Sequence, residues 1–256
     1  MPVVSLLFHD VYAASPRESG FESPAADRYK LSVRAFEAQL DGLARGGSES
    51  PTVLPPLITF DDGGASYYTI AAERLEARGW RGHCFVSTDF INQRGFLTTG
   101  QLRELAARGH VIGSHSASHP SRFSSLSPDV MRREWSNSRQ ALEDLLGHPV
   151  TVGSVPGGYF SRGVAQAAAD AGLRVLFTSE PVRSVSRAGH CLVMGRFTIR
   201  NNHHADMARR FVAAPWARRY AWLEWNAKGV VKPLLGSSYA RIADWFLTRR
   251  VATHHG

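Results

Sequence analysis

Leu57-Ile58-Thr59-Phe60-Asp61-Asp62-Gly63-Gly64 carries a short apolar run into two adjacent carboxylates and then into glycine. Neighbouring carboxylates at a strand end repel unless a positive charge holds them, and a metal ion is one such charge. Farther along, Val111-Ile112 runs into Gly113-Ser114-His115-Ser116-Ala117-Ser118-His119-Pro120. Two imidazoles four positions apart share one face of a helical turn, which suits a single ion. An aspartate with two histidines leaves a coordination position open for water, as hydrolytic sites do. Asp-Asp-Gly is also common turn chemistry, and His-x-x-x-His arises by chance. The two together rise above that background because each follows a short strand and each runs into glycine or proline.

Around these motifs, short apolar runs alternate with helical patterns, which argues for βα units on parallel strands. The expected strands are Val3-Phe8, Val53-Phe60, Gly82-Ser87, Val111-Ser114, Thr151-Ser154, Arg174-Thr178 and Arg196-Ile199, with helices near 32–45, 66–78, 99–108, 127–147 and 161–171. Thr99 is the expected cap of the third helix, Ser127-Pro128 opens the fourth, and Gly79, Gly109 and Gly172 close helices. A chain of 256 residues with 43% hydrophobic and 20% charged residues is long enough for one large α/β domain, either a distorted barrel or a doubly wound sheet. Both architectures place ligand chemistry at the C-terminal strand ends. His9, Asp61-Asp62, His115 with His119, and Pro156-Gly157-Gly158 all lie just past such ends, so the fold rule brings them to one rim. Residues 10–30 read as a long aperiodic loop on that rim, either covering a substrate or disordered at the surface; residues 46–56 read as a connector on the opposite side.

The charge is uneven. Residues 1–190 hold 19 Lys/Arg against 19 Asp/Glu, whereas residues 191–256 hold 11 against 3. Four of the six tryptophans, Trp216, Trp222, Trp225 and Trp245, fall in that basic part, interleaved with Arg218, Arg219, Lys228 and Lys232. Such a mixture suits an anionic membrane surface, a phosphate-bearing ligand or nucleic acid. The favoured expectation is a helical extension, 213–256, whose aromatics pack on a main domain of residues 1–212; no nucleic-acid-reading motif accompanies the charge. Cys84 and Cys191 allow one bridge at most and imply none, and pairing them with His83 and His190 as ligands fails because strand neighbours face opposite ways. No apolar stretch approaches the ~20 residues that span a bilayer, and the first residues lack a basic leader, so a cytoplasmic protein is expected. The histidines of the tail Val251-Gly256 are not expected to bind metal.

At these residues the sequence resembles the polysaccharide deacetylase family, the NodB-like carbohydrate esterases. Thr59-Phe60-Asp61-Asp62-Gly63 is similar to its first motif and His115-Ser116-Ala117-Ser118-His119 to its second, with matching flanks at Phe96-Leu97-Thr98 and Gly109-His110-Val111-Ile112-Gly113-Ser114. The resemblance runs from residue 3 to about 212. It implies a distorted (β/α)7 barrel in which Asp62, His115 and His119 bind a divalent ion, zinc foremost with cobalt, nickel or manganese admissible, and Asp61 is the general base. The third motif departs from the family pattern: Ser154 stands where an arginine precedes the proline in Ser154-Val155-Pro156-Gly157-Gly158-Tyr159. Arg196, in a segment similar to the family's Pro-Arg-Ile, is the candidate substitute, with an ordinary surface arginine as the competing reading.

The resemblance also implies an oxyanion donor at the Gly157 N–H, with Pro156, Gly158 and Tyr159 beside the substrate. For the general acid, Leu7-Phe8-His9 is similar to an N-terminal motif of some relatives; His203 and His204 are the alternatives. The expected activity is removal of N-acetyl groups from an amino-sugar glycan or lipid-linked saccharide, by a protein working in the cytoplasm or peripherally at the inner membrane face. O-acetyl or N-formyl hydrolysis and a glycan-binding module without chemistry are the competing readings.

Overall fold

The computed structural model describes residues 3–49 and 55–235. Val53 and Leu54 of the expected second strand, Trp245, and the tail with His254 and His255 lie outside the described residues. The first part of the chain contains β1 (Ser5–Phe8), β2 (Val11–Tyr12), α1 (Pro24–Asp27), β3 (Leu31–Ser32), α2 (Val33–Glu49), β4 (Leu57–Phe60) and α3 (Ala72–Glu76). The middle contains β5 (His83–Val86), α4 (Thr99–Ala107), β6 (Val111–Ser114), α5 (Pro128–Leu146), β7 (Val152–Ser154) and α6 (Arg162–Asp170). The last part contains β8 (Val175–Phe177), β9 (Val185–Ala188), β10 (Cys191–Met194), β11 (Phe197–Thr198), α7 (Met207–Ala213) and α8 (Pro215–Leu235).

Seven parallel strands, β1, β4, β5, β6, β7, β8 and β10, lie side by side in chain order. That order belongs to a singly wound barrel, since a doubly wound sheet reverses at a switch point. Among the described residues no hydrogen-bonded ladder closes the curl. Instead β10 pairs with β8, Gly195-Arg196 crosses the gap, and β11 pairs with β1, so the chain itself joins the two edges. β9 is an antiparallel strand on the outer side of β10.

Strand side chains alternate with a period of two. Leu6, Phe8, Ile58, Phe60, Cys84, Val86 and Ile112 face the outer core, where they meet Phe36 and Leu40 of α2 and Leu102 and Leu105 of α4. A second core, built on Trp135 of α5 and Val164 and Ala168 of α6, covers the sheet beneath β7, β8 and β10. The opposite parity, Thr59, Phe85 and Phe177 among it, lines the inside of the curl. There the Arg196 guanidinium lies 5.7 Å from the Phe85 ring centre and 5.8 Å from that of Phe177.

Several local expectations shift. Thr98, not Thr99, caps α4, in a reciprocal box with Gln101. Ser127 caps α5 with Pro128 in its first turn, and Gly79, Gly109 and Gly172 follow helix ends with left-handed φ of 70°, 88° and 90°. The helix expected at 66–78 begins as a π turn, Tyr67–Ala71. The aperiodic residues 10–30 are structured: β2 and β3 pair in parallel and carry α1 between them. The extension departs most. Ala217 and Ala221 pack on the barrel, but Trp216, Tyr220, Trp222 and Leu223 are exposed, so the aromatics expected to bury themselves largely do not. No helix among the described residues is long and apolar enough to cross a membrane.

Candidate active site

The carboxylate pair leaves β4 in two directions. Asp61 keeps the inward parity of its strand, whereas Asp62 has φ 75°, a left-handed conformation that turns its side chain back over the same rim. Asp62 Oδ1 lies 3.3 Å from His115 Nε2 and 3.4 Å from His119 Nε2. His115 Nδ1 is 2.8 Å from the Ser154 carbonyl, which fixes the proton on that nitrogen and leaves Nε2 as a lone-pair donor.

The His115–His119 segment is not a helical turn, as its spacing suggested. Ser116 and His119 have φ of 64° and 52°, and the loop is held by side chains. Ser116 Oγ accepts from the His119 N–H (3.1 Å), and Glu134 of α5 accepts from the Ala117 N–H (3.0 Å), the Ser118 N–H (2.9 Å) and the Ser118 hydroxyl (2.8 Å). Phe21 packs against the His119 ring, centres 4.8 Å apart.

One donor atom from each of Asp62, His115 and His119 lies within 4.8 Å of the others. A carboxylate with two imidazoles, one already oriented by a carbonyl, suits a borderline divalent ion with coordination positions to spare. Burial favours a neutral Asp62, but the His115 and His119 imidazoles beside it outweigh it and hold the carboxyl well below its usual range. Burial likewise opposes charge on His119, and the bond to Asp62 more than offsets it, raising its pKa.

Asp61 has a partner of its own. Arg196 is fully buried and grips both carboxylate oxygens, Nη1 to Oδ1 and Nη2 to Oδ2, each at 2.7 Å. Its remaining donors reach the Thr59 hydroxyl (3.1 Å), the Thr178 carbonyl (3.0 Å) and the Ser154 hydroxyl (2.6 Å). Ser154 in turn donates to Asp61 Oδ2 at 3.0 Å. The position that lost an arginine therefore still joins the network, and a guanidinium reaches Asp61 from β11's side of the curl. Burial pushes Asp61 toward neutrality; the Arg196 charge, with His115, prevails and keeps its pKa below the ordinary value.

A cavity of about 570 Å³ opens above these groups. Its walls include His9, Phe21, Tyr29, Gly157, Gly158, Ser179, Arg200 and Trp225. His9 stands on the cavity with Nδ1 buried and unpartnered, its ring 4.8 Å from that of Tyr29. Burial favours its neutral form over the pull of Asp62 and Asp61, so its pKa lies below the usual histidine value, against the expectation of a resting protonated acid. His203 and His204 do not line the cavity; His203 Nδ1 accepts from the Arg200 N–H instead. Gly157, at φ 61°, lines it, and its N–H meets no acceptor among the described residues. Pro156 is buried, Tyr159 is exposed, and neither lines the cavity.

The segment from β2 to β3 is stapled over the rim. Asp10 Oδ1 accepts from the Ser19 (2.6 Å) and Ser66 (2.7 Å) hydroxyls, and Lys30 Nζ donates to the Pro16 (2.7 Å) and Ser19 (2.8 Å) carbonyls. Gly64 passes so close to Asp10 that any side chain would collide with its carboxylate, which accounts for a glycine after the metal motif. Sequence reading missed Glu134, Tyr29, Lys30, Arg200 and Trp225 as site residues. Only the length of the 10–30 segment and the clustered tryptophans signalled any of them.

Residues 53–176 match the family model described as polysaccharide deacetylase. YxkH of Bacillus subtilis (strain 168), which carries a polysaccharide deacetylase name, is 30% identical over 125 residues; the match takes in 49% of this chain and only 44% of that relative's length. Among solved structures, the Streptococcus pyogenes deacetylase PplD in complex with acetate superposes with TM-score 0.66 at 21% identity, covering 83% of this chain and 99% of that one. A polysaccharide deacetylase from Bacillus cereus superposes with TM-score 0.68 at 20% identity, covering 82% and 69% respectively. At such identities the likeness is one of fold, and it covers more of the chain than the matched segment.

Proposed function

From the match of residues 53–176 to the polysaccharide deacetylase family model, we propose that this chain removes N-acetyl groups from an amino-sugar glycan, free or lipid-linked. The observation that carries the reading is Asp61, held as an anion by Arg196 next to the Asp62–His115–His119 triangle at the floor of one cavity. The triangle would hold a divalent ion, zinc first given its two imidazoles and one carboxylate. Such an ion supplies Lewis-acid polarisation of a carbonyl and a more acidic water.

The chain's own residues account for the rest. Asp61 takes the proton of the attacking water; its anionic state is secured by Arg196 and Ser154, so it is available across the neutral range. The Gly157 N–H is free to meet negative charge as it develops on the acyl oxygen, a contribution of about 10²–10³ in rate for one donor. His9, on the cavity wall, is the candidate proton donor to the leaving nitrogen. Because burial favours its neutral form, it takes up the proton that Asp61 has removed from the water and passes it to the nitrogen as the C–N bond breaks. An amine leaving group needs that proton far more than an alcohol does, which favours amides over esters. Ser154 in place of an arginine would by itself favour a binding module without chemistry; the Arg196 bonds to Asp61 and Ser154 favour the enzyme.

Incubation of the zinc-loaded chain with N-acetylated and O-acetylated oligosaccharides tests the reading. Equimolar acetate and free amine from the N-acetylated set support it. Acetate from the O-acetylated set alone, or from neither, contradicts it.

A further inference from the structure

Helix α8 has two unlike faces. Ala217 and Ala221 pack inward, Glu224 meets Arg200 at 3.0 Å, and Trp225 forms part of the cavity wall. Turning away from the barrel, Trp216, Tyr220 and Leu223 follow one another at spacings of four and three, one stripe of a helix, with Trp222 and Arg219 on its flank. The four large side chains are 59%, 68%, 56% and 46% exposed in the order Trp216, Tyr220, Leu223, Trp222. Arg210 of α7 lies over the Trp216 ring at 5.8 Å. The exposed positions between 215 and 227 contain no acidic residue, and Glu224, the only acid in that stretch, is occupied by Arg200.

We propose that this face of α8 docks on the surface of an anionic lipid bilayer. Tryptophan and tyrosine favour the boundary between acyl chains and headgroups, where an apolar ring and a polar edge are both satisfied. Arginine beside them meets lipid phosphate: Arg219 is exposed on this helix and Arg210 of α7 lies against Trp216. An apolar stripe flanked by cations is the pattern of a helix lying in the interface rather than crossing it. A second copy of the chain on this face would oppose Arg219 to Arg219 and one basic segment to another, which disfavours self-association. Docking here would not occlude the catalytic cavity, whose wall is formed by the other side of the same helix.

The test is co-sedimentation of the full chain with phosphatidylglycerol–phosphatidylcholine vesicles and with phosphatidylcholine vesicles, at low and high salt. The wild type should bind the anionic vesicles, lose binding as salt rises, and show a blue shift of tryptophan emission. The triple variant Trp216→Ala, Tyr220→Ala, Leu223→Ala should bind about tenfold or more weaker, and Arg219→Glu should weaken binding by severalfold. Both should keep wild-type circular dichroism. Equal binding to both vesicle types, no binding by the wild type, or undiminished binding by the triple variant overturns the proposal. So does a vesicle-free dimer that the triple variant abolishes, which would assign the face to a second copy.

Discussion

The Asp61–Arg196 pair is the residue-scale feature on which the site turns. Both groups are buried and doubly bonded, so removing one leaves the other charged and unsatisfied, at a cost of about 3–5 kcal/mol. Arg196→Met should therefore lower stability by roughly that amount in urea unfolding and lower turnover by about a hundredfold or more. Arg196→Lys should not restore either, since an ammonium cannot grip both oxygens; rescue by lysine would reduce the role of Arg196 to charge alone. The two motifs that bear Asp61, Asp62, His115 and His119 were legible because like charges and paired imidazoles at strand ends demand an explanation. Arg196 was legible only as a substitute for a missing arginine. Nothing in its neighbours says that its guanidinium enters the curl from the closing strand.

At the scale of the element, the β6–α5 connection is the least expected part of the site. Spacing suggested a helical turn, but the loop has two non-glycine residues with left-handed φ and is held by three bonds to Glu134. Those bonds run from one carboxylate to donors just before His119, so Glu134 sets where His119 points. Glu134→Ala should weaken zinc affinity about tenfold to a hundredfold in a chelator competition, with Glu134→Gln recovering part of it. Unchanged affinity in Glu134→Ala would mean the loop holds itself. Elements with clear caps and apolar periodicity, such as α5 and α6, were readable in the sequence. β9 was not, because Val185–Ala188 is an edge strand with three exposed residues and no core pattern to announce it. β10 was missed for another reason: Gly195 and Arg196 interrupt the run and draw attention to β11, although the interruption is where the chain crosses from one sheet edge to the other.

The curled sheet as a whole encloses polar and ionisable groups, and that shapes its response to acid. Burial lowers His83, beside the Phe177 ring, to about 4, and lowers His110 as well. For both, the unfolded chain binds the proton more readily than the folded one. Their contribution is complete above the unfolded value of ~6.5 and is lost as pH falls toward the folded value, about 4 for His83. Glu76, lowered to about 2 chiefly by its hydrogen bond with Arg108, adds a further loss from the ordinary carboxylate range downward. Thermal unfolding followed by circular dichroism should show stability falling from pH 6.5 to 4, with a shallower fall in His83→Gln; identical slopes would place the acid sensitivity elsewhere. The parallel strands β1, β4 to β8 and β11 followed from alternating apolar runs, whereas the joining of the edges by chain rather than by ladder depends on long-range pairing that no local pattern encodes. The central claim is a division of labour, in which Asp62 with His115 and His119 holds the ion and Asp61 with Arg196 handles the proton. Zinc content and acetate release measured together on wild type, Asp61→Asn and Asp62→Asn test it most directly. The expected result is near-stoichiometric zinc without turnover in Asp61→Asn and loss of both in Asp62→Asn. Full zinc occupancy in Asp62→Asn, or wild-type turnover in Asp61→Asn, would contradict it.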